Sequence, residues 1–337
     1  MQIIRHPEHL SPDWQRMVVA LGNFDGFHRG HQTVVGEAGR VARATGQKLA
    51  VLVTEPHPRS FFEPDAPAFR LTSFRERAEL LESFGVELHI ALTFDSILAG
   101  TKPDEFAKTY LLEGLKISCA VVGYDYRFGV NRSGDADTLR ELGAELGFDV
   151  RIVDPVTFGV EGVAGEIYSS SRIREALRSG EARLAAALLG HWWGKSGHVL
   201  KGDQRGHKIG FPTANLEFHD SITPRHGVYA VRVRIGQDQQ ETLDGIANVG
   251  LRPTFGGDTE LLEVHLFDFD QDIYDHLVRV EFVGFLRPER RFDGAHELKT
   301  QIQKDIIACR TMLADPENSR GRLMVPTLDD YLRSHDV

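Results

Sequence analysis

Two histidines stand three residues apart in the segment GNFDGFHRGH, residues 22–31. If the end of this segment is helical, His28 and His31 share one helix face, and two imidazoles there can donate to phosphate oxygens as charge develops on them. Gly26 and Gly30 would let the backbone approach a ligand closely. For an isolated H-x-x-H, a surface or capping role would be the better interpretation. Here an apolar run precedes the segment and a helical spacing follows it, which favours phosphoryl-type transfer.

A second polar segment is SSSRIR, residues 169–174, which comes just before a helical pattern. Ser170 or Ser171 could simply cap that helix. Arg172 and Arg174 place fixed positive charge near the helix start, where the helix dipole disfavours it. An anionic ligand would compensate this charge, so the segment is a candidate phosphate contact.

A third segment, GYDYRFG, residues 123–129, follows another apolar run and carries Asp125 and Arg127 between glycines. By itself it is typical of a turn with an exposed charge pair. Its position favours a ligand contact, because ligands of open α/β sheets bind outside the carboxyl ends of the strands.

Different chemistry is indicated by GFPTANL, residues 210–216, and LLEVHLF, residues 261–267. Thr213 and Asn215 point to the same side of an extended chain, and their hydroxyl and amide oxygens are the hard donors that Mg²⁺ accepts beside nucleotide phosphates. The alternating pattern of the second segment puts Glu263 on the face opposite its apolar residues. An ordinary solvent-facing glutamate is the alternative to a general base for an alcohol substrate.

The first half of the chain must position the histidine segment on alternating strands and helices. The predicted strands are Met17–Leu21, Leu49–Thr54, Leu88–Phe94, Cys119–Gly123 and Val150–Val153. The predicted helices are His31–Thr45, Phe74–Phe84, Asp104–Leu112, Leu139–Leu146, Ser171–Ser179 and Ala182–Leu189. Since the strands are apolar throughout, they predict a parallel sheet covered on both faces.

After Gly190 the segments become short and alternating, with Gly, Pro, Asp and Asn between them. Examples are Gly227–Ile235, Leu261–Phe267 and Val278–Phe285, and the pattern predicts an antiparallel barrel. An amphipathic helix, Glu297–Met312, closes the chain. We predict two domains, residues 1–188 and 189–337.

Composition narrows the function classes. The chain has 337 residues and a formal net charge of −10, which argues against nonspecific binding to nucleic acid or to an anionic membrane. Its two cysteines stand far apart, so a disulfide framework and a structural zinc site are not expected. With no apolar leader and no run of about 20 apolar residues, we expect a cytoplasmic enzyme of small molecules. No feature specifies an oligomeric state.

Together, GNFDGFHRGH, GYDYRFG and SSSRIR resemble the HxGH nucleotidyltransferases, and specifically the N-terminal module of bacterial bifunctional riboflavin kinase/FAD synthetases. The resemblance implies a Rossmann-like domain in which the FMN phosphate attacks the α-phosphorus of ATP and pyrophosphate leaves. His28 and His31 would stabilise the phosphates. The implied nucleotide contacts are Gly22, Asn23, Phe24, Asp25, Gly26, His28, Gly30, His31, Asp125, Ser170, Ser171, Arg172 and Arg174.

The second half resembles the riboflavin kinase module of the same family through GFPTANL, NVGLRPTF and the Glu and His of LLEVHLF. The resemblance implies a six-stranded antiparallel β-barrel with a terminal helix. Thr213 and Asn215 would hold Mg²⁺ with ATP, and Glu263 would deprotonate the ribityl 5′-hydroxyl of riboflavin. The implied nucleotide contacts are Gly202, Lys208, Gly210, Phe211, Pro212, Thr213 and Asn215. ATP, riboflavin and FMN would be substrates, with FMN and FAD as products rather than prosthetic groups.

The chain departs from the family pattern at several positions: Ser171 replaces Thr, Tyr126 replaces Phe, His207 replaces Arg, Asp275 replaces Gly, and the stretch VTEPHP lacks the Phe before Glu55. Ser171 keeps the hydroxyl and Tyr126 keeps an aromatic ring, while the change in VTEPHP weakens that stretch as a flavin contact. His207 and Asp275 are neither proposed metal nor base residues, so these two departures bear on nucleotide affinity. Two alternatives remain. One is a nucleotidyltransferase for another phosphate acceptor with a barrel that only binds ligand. The other is a flavin-binding regulator without activity.

Overall fold

The computed structural model describes residues 1–5, 10–159, 165–201, 210–218, 221–236, 242–254 and 257–335. Contacts between Cα atoms divide the chain into two compact units. The first unit comprises Met1–Ala66, Phe74–Ser169 and Val325–Val337, and the second comprises Pro67–Ser73 and Ser170–Met324. The domain boundary predicted between residues 188 and 189 stays a prediction.

The first unit is built on a parallel sheet of six strands. The strands are β1 (Gln2–Ile4), β2 (Val18–Leu21), β3 (Leu49–Glu55), β4 (Leu88–Thr93), β5 (Cys119–Gly123) and β8 (Asp149–Val153), in the order β1-β4-β3-β2-β5-β8. Short pairs β6 (Arg127–Phe128) with β7 (Gly134–Asp135), and β9 (Thr157–Phe158) with β10 (Glu166–Ile167), lie outside it. The predicted parallel sheet is confirmed.

Helices cover both faces of this sheet because successive residues of each strand point to opposite sides. Val19 and Leu21 belong to one apolar cluster, and Val18 and Ala20 belong to the other. The helices are α1 (Arg29–Thr45), α2 (Pro58–Phe62), α3 (Phe74–Phe84), α4 (Ser96–Gly100), α5 (Pro103–Glu105) and α6 (Ala136–Leu146).

The helix predicted over Asp104–Leu112 is confirmed, and its second part, Phe106–Gly114, is a π-helix. The backbone N–H of Leu115 bonds the carbonyl of Tyr110, five residues back. This wider turn places Phe106, Leu111 and Leu115 together in the core.

The second unit begins with α7 (Ser170–Ser179) and α8 (Ala182–Leu189) and continues into an antiparallel sheet. Its strands are β11 (Gly194–His198), β12 (Ala214–Glu217), β13 (Gly227–Ile235), β14 (Leu243–Thr254), β15 (Gly257–Leu266) and β16 (Leu277–Arg287), in the order β11-β16-β13-β14-β15-β12. A bridge between Leu200 and Asn215 nearly closes the sheet. The predicted six-stranded barrel is confirmed.

Two helices follow the barrel strands, α9 (Ala295–Ala314) and α10 (Leu328–His335). The predicted terminal helix corresponds to α9, whereas α10 was not predicted. Turns of 3₁₀-helix occur at Pro12–Trp14, Val130–Arg132, Pro316–Asn318 and Arg320–Arg322. No helix in the described part of the chain is long and apolar enough to cross a membrane.

An ion pair ties α9 to the last barrel strand. Arg287 donates to both carboxylate oxygens of Asp305, with its Nη2 2.7 Å from Oδ2, and Gln301 donates to the same carboxylate. The Asp305 side chain is 8% exposed. A carboxylate so deeply buried is tolerated because its oxygens are hydrogen-bonded.

We predict that Asp305→Ala lowers the free energy of unfolding of the second unit by about 3 kcal/mol, since Arg287 loses the partner of a largely buried charge. The matched control is Asp268→Ala, which removes an exposed pair with Arg310 and should cost less than about 1 kcal/mol. The fluorescence of Trp192 and Trp193, both buried in the second unit, reports its urea unfolding. Equal losses in the two variants would contradict the prediction.

Candidate functional sites

The first candidate site starts where β2 ends and α1 begins. His28 is the N-cap of α1, and its side chain accepts a hydrogen bond from the His31 backbone N–H, with 3.3 Å between that nitrogen and Nδ1. The His28 and His31 rings are stacked, with centroids 3.6 Å apart and an interplanar angle of 18°. The prediction that the two imidazoles share one face is confirmed. They lie at the positive end of the helix dipole, where anions are stabilised.

Glycine at position 30 makes this stack possible. A Cβ atom there would lie 3.2 Å from the Cε1 and Nδ1 atoms of the His28 ring, which is closer than ordinary packing, and 3.5 Å from the Cβ of Tyr168. The edge of the Phe24 ring faces the His31 ring, with centroids 5.3 Å apart. The pair is therefore confined by its immediate neighbours.

The loop before α1 holds two non-glycine residues in the left-handed region. Phe24 has φ of 49° and Phe27 has φ of 41°, while Gly26 between them has φ of 80°. Such backbone costs energy and persists only where the surroundings enforce it. Both phenylalanine side chains are buried, and the Gln32 side chain donates to the carbonyl of Phe27. The loop conformation is thus set by packing beneath it.

An arginine of α3 fixes the same loop from the side. Arg77 is fully buried, its Nη1 donates to the Asn23 carbonyl at 3.1 Å, and its Nη2 lies 2.9 Å from Glu55 Oε2. The Thr54 hydroxyl also donates to Asn23 Oδ1. One guanidinium therefore joins the ends of two neighbouring strands, β2 and β3.

A buried histidine lies beside that arginine. The His89 ring stacks on the Phe74 ring at 5.0 Å, and neither ring nitrogen has a hydrogen-bond partner within the described residues. Burial, and then the positive charge of Arg77, lowers the pKa of His89 to about 3. His89 is therefore neutral at ordinary pH and adds no charge beside Arg77.

The Asp125 segment follows β5, which pairs with β2 in parallel. A Cβ on Gly123 would lie 3.2 Å from Asp125 Oδ1, so the carboxylate folds back over the end of the strand. Asp125 itself is exposed. Adjacent parallel strands end at the same sheet edge, so this segment and the histidine loop lie at the same edge of the sheet.

Ser170, the first residue of α7, and the residues up to Arg174 belong to the second unit, whereas Ser169 belongs to the first. Arg174 Nε donates to the carbonyl of Phe69 at 2.7 Å, while Arg172 Nη1 lies 3.4 Å from Glu175. Their predicted role as triphosphate contacts stays a prediction.

The second candidate site is a cavity of about 940 Å³ in the barrel unit. Register places Glu263 of β15 between Asn215 of β12 and Asn248 of β14. All three line the cavity, together with Thr213. The roles predicted for Thr213, Asn215 and Glu263 stay predictions.

Hydrogen bonds beside the row Asn215–Glu263–Asn248 hold the neighbouring segments in place. His265 Nδ1 lies 2.8 Å from the Pro212 carbonyl, so the imidazole donates and holds the turn that precedes Thr213. Asn248 Nδ2 donates to Glu289 Oε1 at 3.0 Å. Gly210 has φ of 88°, a conformation that favours glycine.

The predicted nucleotide contacts of the barrel unit fall into two groups. Phe211 and Pro212 line the cavity, whereas Gly202, Lys208 and the departure His207 lie outside the described residues.

Two family models match the chain. One described as FAD synthetase matches residues 10–167, and one described as riboflavin kinase matches residues 189–313. The chain is 39% identical over 307 residues to a protein of Haemophilus influenzae named bifunctional riboflavin kinase/FMN adenylyltransferase, spanning 91% of this chain and 97% of that protein. The Escherichia coli K12 protein of the same name is 38% identical over 92% of this chain and 97% of its own. The chain belongs to the bifunctional riboflavin kinase/FMN adenylyltransferase family.

A further relative and a solved structure are also similar to this chain. A Bacillus subtilis riboflavin kinase/FMN adenylyltransferase is 37% identical over 90% of this chain and 94% of its own. A crystal structure titled macrolide-efflux protein from Streptococcus pneumoniae matches with a TM-score of 0.80 and 33% identity, covering 91% of this chain and 98% of that one. Kinase and adenylyltransferase chemistry implies ATP, riboflavin and FMN as substrates.

Sequence reasoning quoted the motifs that contain Asn248 and His265 without giving either residue a role, and it named neither Arg77 nor Glu289. A signal existed for His265, because the alternation that selected Glu263 puts both on one face. A weaker signal existed for Arg77, which falls on the stripe of Leu81 and Phe84 that α3 buries. A charge on an apolar stripe indicates a buried partner.

We predict that Arg77→Met lowers kcat for FAD formation from FMN about tenfold or more, because the histidine loop loses its link to Glu55, while riboflavin phosphorylation stays within about twofold. Small misplacements of reacting groups carry large rate costs. Arg77→Lys should recover part of the loss. The control is Arg75→Met on the same helix, which breaks only the exposed pair with Glu79. Equal losses in Arg75→Met and Arg77→Met would refute this role of Arg77.

We also predict a pH dependence of stability from His89. Because its pKa falls from 6.5 unfolded to about 3 folded, its contribution is complete above pH 6.5 and is lost as pH falls toward 3. His89→Phe keeps a stacked ring and cannot titrate. Between pH 7 and pH 5 the wild type should lose about 2 kcal/mol more unfolding free energy than the variant, followed by circular dichroism in urea. Parallel curves would exclude a buried neutral His89.

Proposed function

We propose that this chain phosphorylates riboflavin in the barrel cavity and adenylylates FMN at the start of α1, with ATP as donor in both steps. Riboflavin kinase and FMN adenylyltransferase are the activities of its family. The observation that carries the assignment of residues is the row Asn215–Glu263–Asn248, since it sets a carboxylate between two amides inside a cavity.

In the kinase step, Glu263 would accept the proton of the ribityl 5′-hydroxyl while that oxygen bonds to the γ-phosphorus of ATP and ADP leaves. His265 would hold the turn that presents Thr213, through its bond to the Pro212 carbonyl. The cavity offers room for a flavin beside a nucleotide, since ligand sites are typically 300–1,000 Å³.

The oxygen donors of this cavity fit magnesium. The Thr213 hydroxyl and Asn215 amide oxygen are hard ligands of the kind Mg²⁺ takes beside phosphate oxygens and water. Within the described residues, no cluster of three or more His, Cys, Asp or Glu side chains is placed to hold a metal unaided. We therefore expect Thr213 and Asn215 to bind the ion together with ATP, whose charge it would neutralise.

In the adenylylation step, a phosphate oxygen of FMN would bond to the α-phosphorus of ATP as pyrophosphate leaves. His28 Nδ1 accepts an N–H, so the neutral ring carries its proton on Nε2 and can donate that proton to a phosphate oxygen. His31, stacked on the same ring, would add a second donor. These groups stabilise developing charge without forming a covalent bond.

The remaining contacts of the nucleotide are proposed from the family motifs. Ser170, Ser171, Arg172 and Arg174 would hold the triphosphate in adenylylation, with Asp125 near the nucleotide, and Gly202 and Lys208 would contact phosphates in the kinase step. The net charge of −10 suits small-molecule substrates, and we expect the enzyme to act in the cytoplasm without nucleic acid or membrane partners.

We predict separable lesions in the two steps. His31→Ala should still convert riboflavin to FMN and should form no FAD, because the phosphate donor at α1 is removed. Glu263→Ala should form no FMN from riboflavin yet still convert supplied FMN to FAD. Chromatography of the flavins after incubation with Mg·ATP measures both steps on one sample.

The control is His296→Ala, which changes an exposed histidine at the start of α9 and should leave both steps intact. Circular dichroism establishes that each variant is folded. Loss of both steps in a folded His31→Ala or Glu263→Ala protein would refute the assignment of two independent sites.

A further inference from the structure

The last described helix, α10, is part of the first unit although the barrel precedes it in the chain. Residues Val325–Val337 group with Met1–Ala66 and Phe74–Ser169 by their contacts. They also lie outside both family models, which end at residues 167 and 313. Neither family model therefore assigns a role to this segment.

The helix is defined by its own sequence. The Thr327 hydroxyl accepts from the Asp330 backbone N–H at 3.2 Å, and the Asp330 carboxylate accepts from the Thr327 backbone N–H at 3.3 Å. This reciprocal cap satisfies two groups at the helix start. Acidic residues occupy the first turn and basic residues the last, which complements the helix dipole.

Helix α10 packs against two glycines of α1. A Cβ on Gly36 would overlap the ring of Tyr331, and a Cβ on Gly39 would overlap the side chain of Leu328. Tyr331 and Leu332 are buried in the same apolar cluster as α1. Glycines three residues apart thus form a seat on one face of α1.

Polar contacts extend the seat along α1 in both directions. The Tyr331 hydroxyl lies near the Thr33 side chain, two residues after His31. At the other end, Arg43 pairs with Asp329. The contacts therefore run from the second turn of α1 to its last turn.

We propose that α10 is a positioning element for adenylyl transfer: through Tyr331 it holds α1 so that His28 and His31 stay aligned with the phosphates. The inference rests on the proposed role of these histidines. Tyr331 acts on the helix that carries them and touches no substrate. Because the effective rate falls steeply with small displacements of reacting groups, release of α10 lowers kcat more than it weakens ATP binding.

The test uses full-length variants assayed for both steps. Tyr331→Ala removes the packed ring, and Gly36→Ala drives a methyl group into that ring without changing α10. Tyr331→Phe keeps the ring and loses only the hydroxyl near Thr33. The control, Gly100→Ala, adds a methyl group that meets nothing within 4 Å.

We expect Tyr331→Ala and Gly36→Ala to lower kcat for FAD formation, per folded molecule, about tenfold. KM for ATP and riboflavin phosphorylation should each stay within about twofold. Tyr331→Phe should recover most of the activity, and Gly100→Ala should match the wild type. Hydrogen exchange should show faster exchange in the first turns of α1 in the two impaired variants. A merely destabilising change lowers the folded fraction and leaves the rate per folded molecule unchanged.

The inference is overturned if Tyr331→Ala and Gly36→Ala form FAD at the wild-type rate per folded molecule, if both steps fall together, or if exchange in α1 is unaltered. His31→Ala is assayed alongside. If that variant still forms FAD, the histidine assignment has failed, and this outcome is distinct from a failure of the α10 variants.

Discussion

The hydrogen bond from the His31 backbone N–H to His28 Nδ1 joins the fold and the chemistry of the first unit. It caps α1, it fixes which nitrogen of His28 keeps the proton, and it brings two rings into a stack. Neighbouring residues support this arrangement. The buried phenylalanines set the loop backbone, Gly30 leaves space for the His28 ring, and Arg77 joins the ends of β2 and β3. A helix start becomes an anion site when its first side chains are held in this way.

The barrel unit positions its candidate site residues in a different way, through the register between strands. Neighbouring antiparallel strands hold their side chains at fixed separation, so a row across β12, β15 and β14 needs no special loop to align it. The histidine loop, by contrast, depends on strained backbone that packing must maintain. The two halves of the chain thus fix their candidate site residues by loop packing in one case and by sheet pairing in the other.

The sequence predicts the sheet and barrel well because periodicity and burial agree there. Strands β2 and β5 are apolar throughout, and in the structure they are buried on both faces. Glu263 and Asn215 could be predicted because alternation fixes the side of a strand on which each residue points.

The elements that sequence reasoning missed depend on distant partners. Arg77 is explained only by the carbonyl of Asn23 and the carboxylate of Glu55, which the fold brings to it. Helix α10 has a clear cap, yet its eight residues gain their place from glycines almost 300 positions earlier in the chain.

The pairing of Asn215 with Glu263 also limits how the barrel can change over evolutionary time. Side chains alternate along a strand, so sliding β15 past β12 by one residue would turn Glu263 outward and bring Val264 or Leu262 into its place. A single-codon insertion or deletion inside β15 would therefore remove the carboxylate while every residue type remained in the chain. Length variation should be tolerated in the turns between strands and rejected within this one, even where the local composition is ordinary.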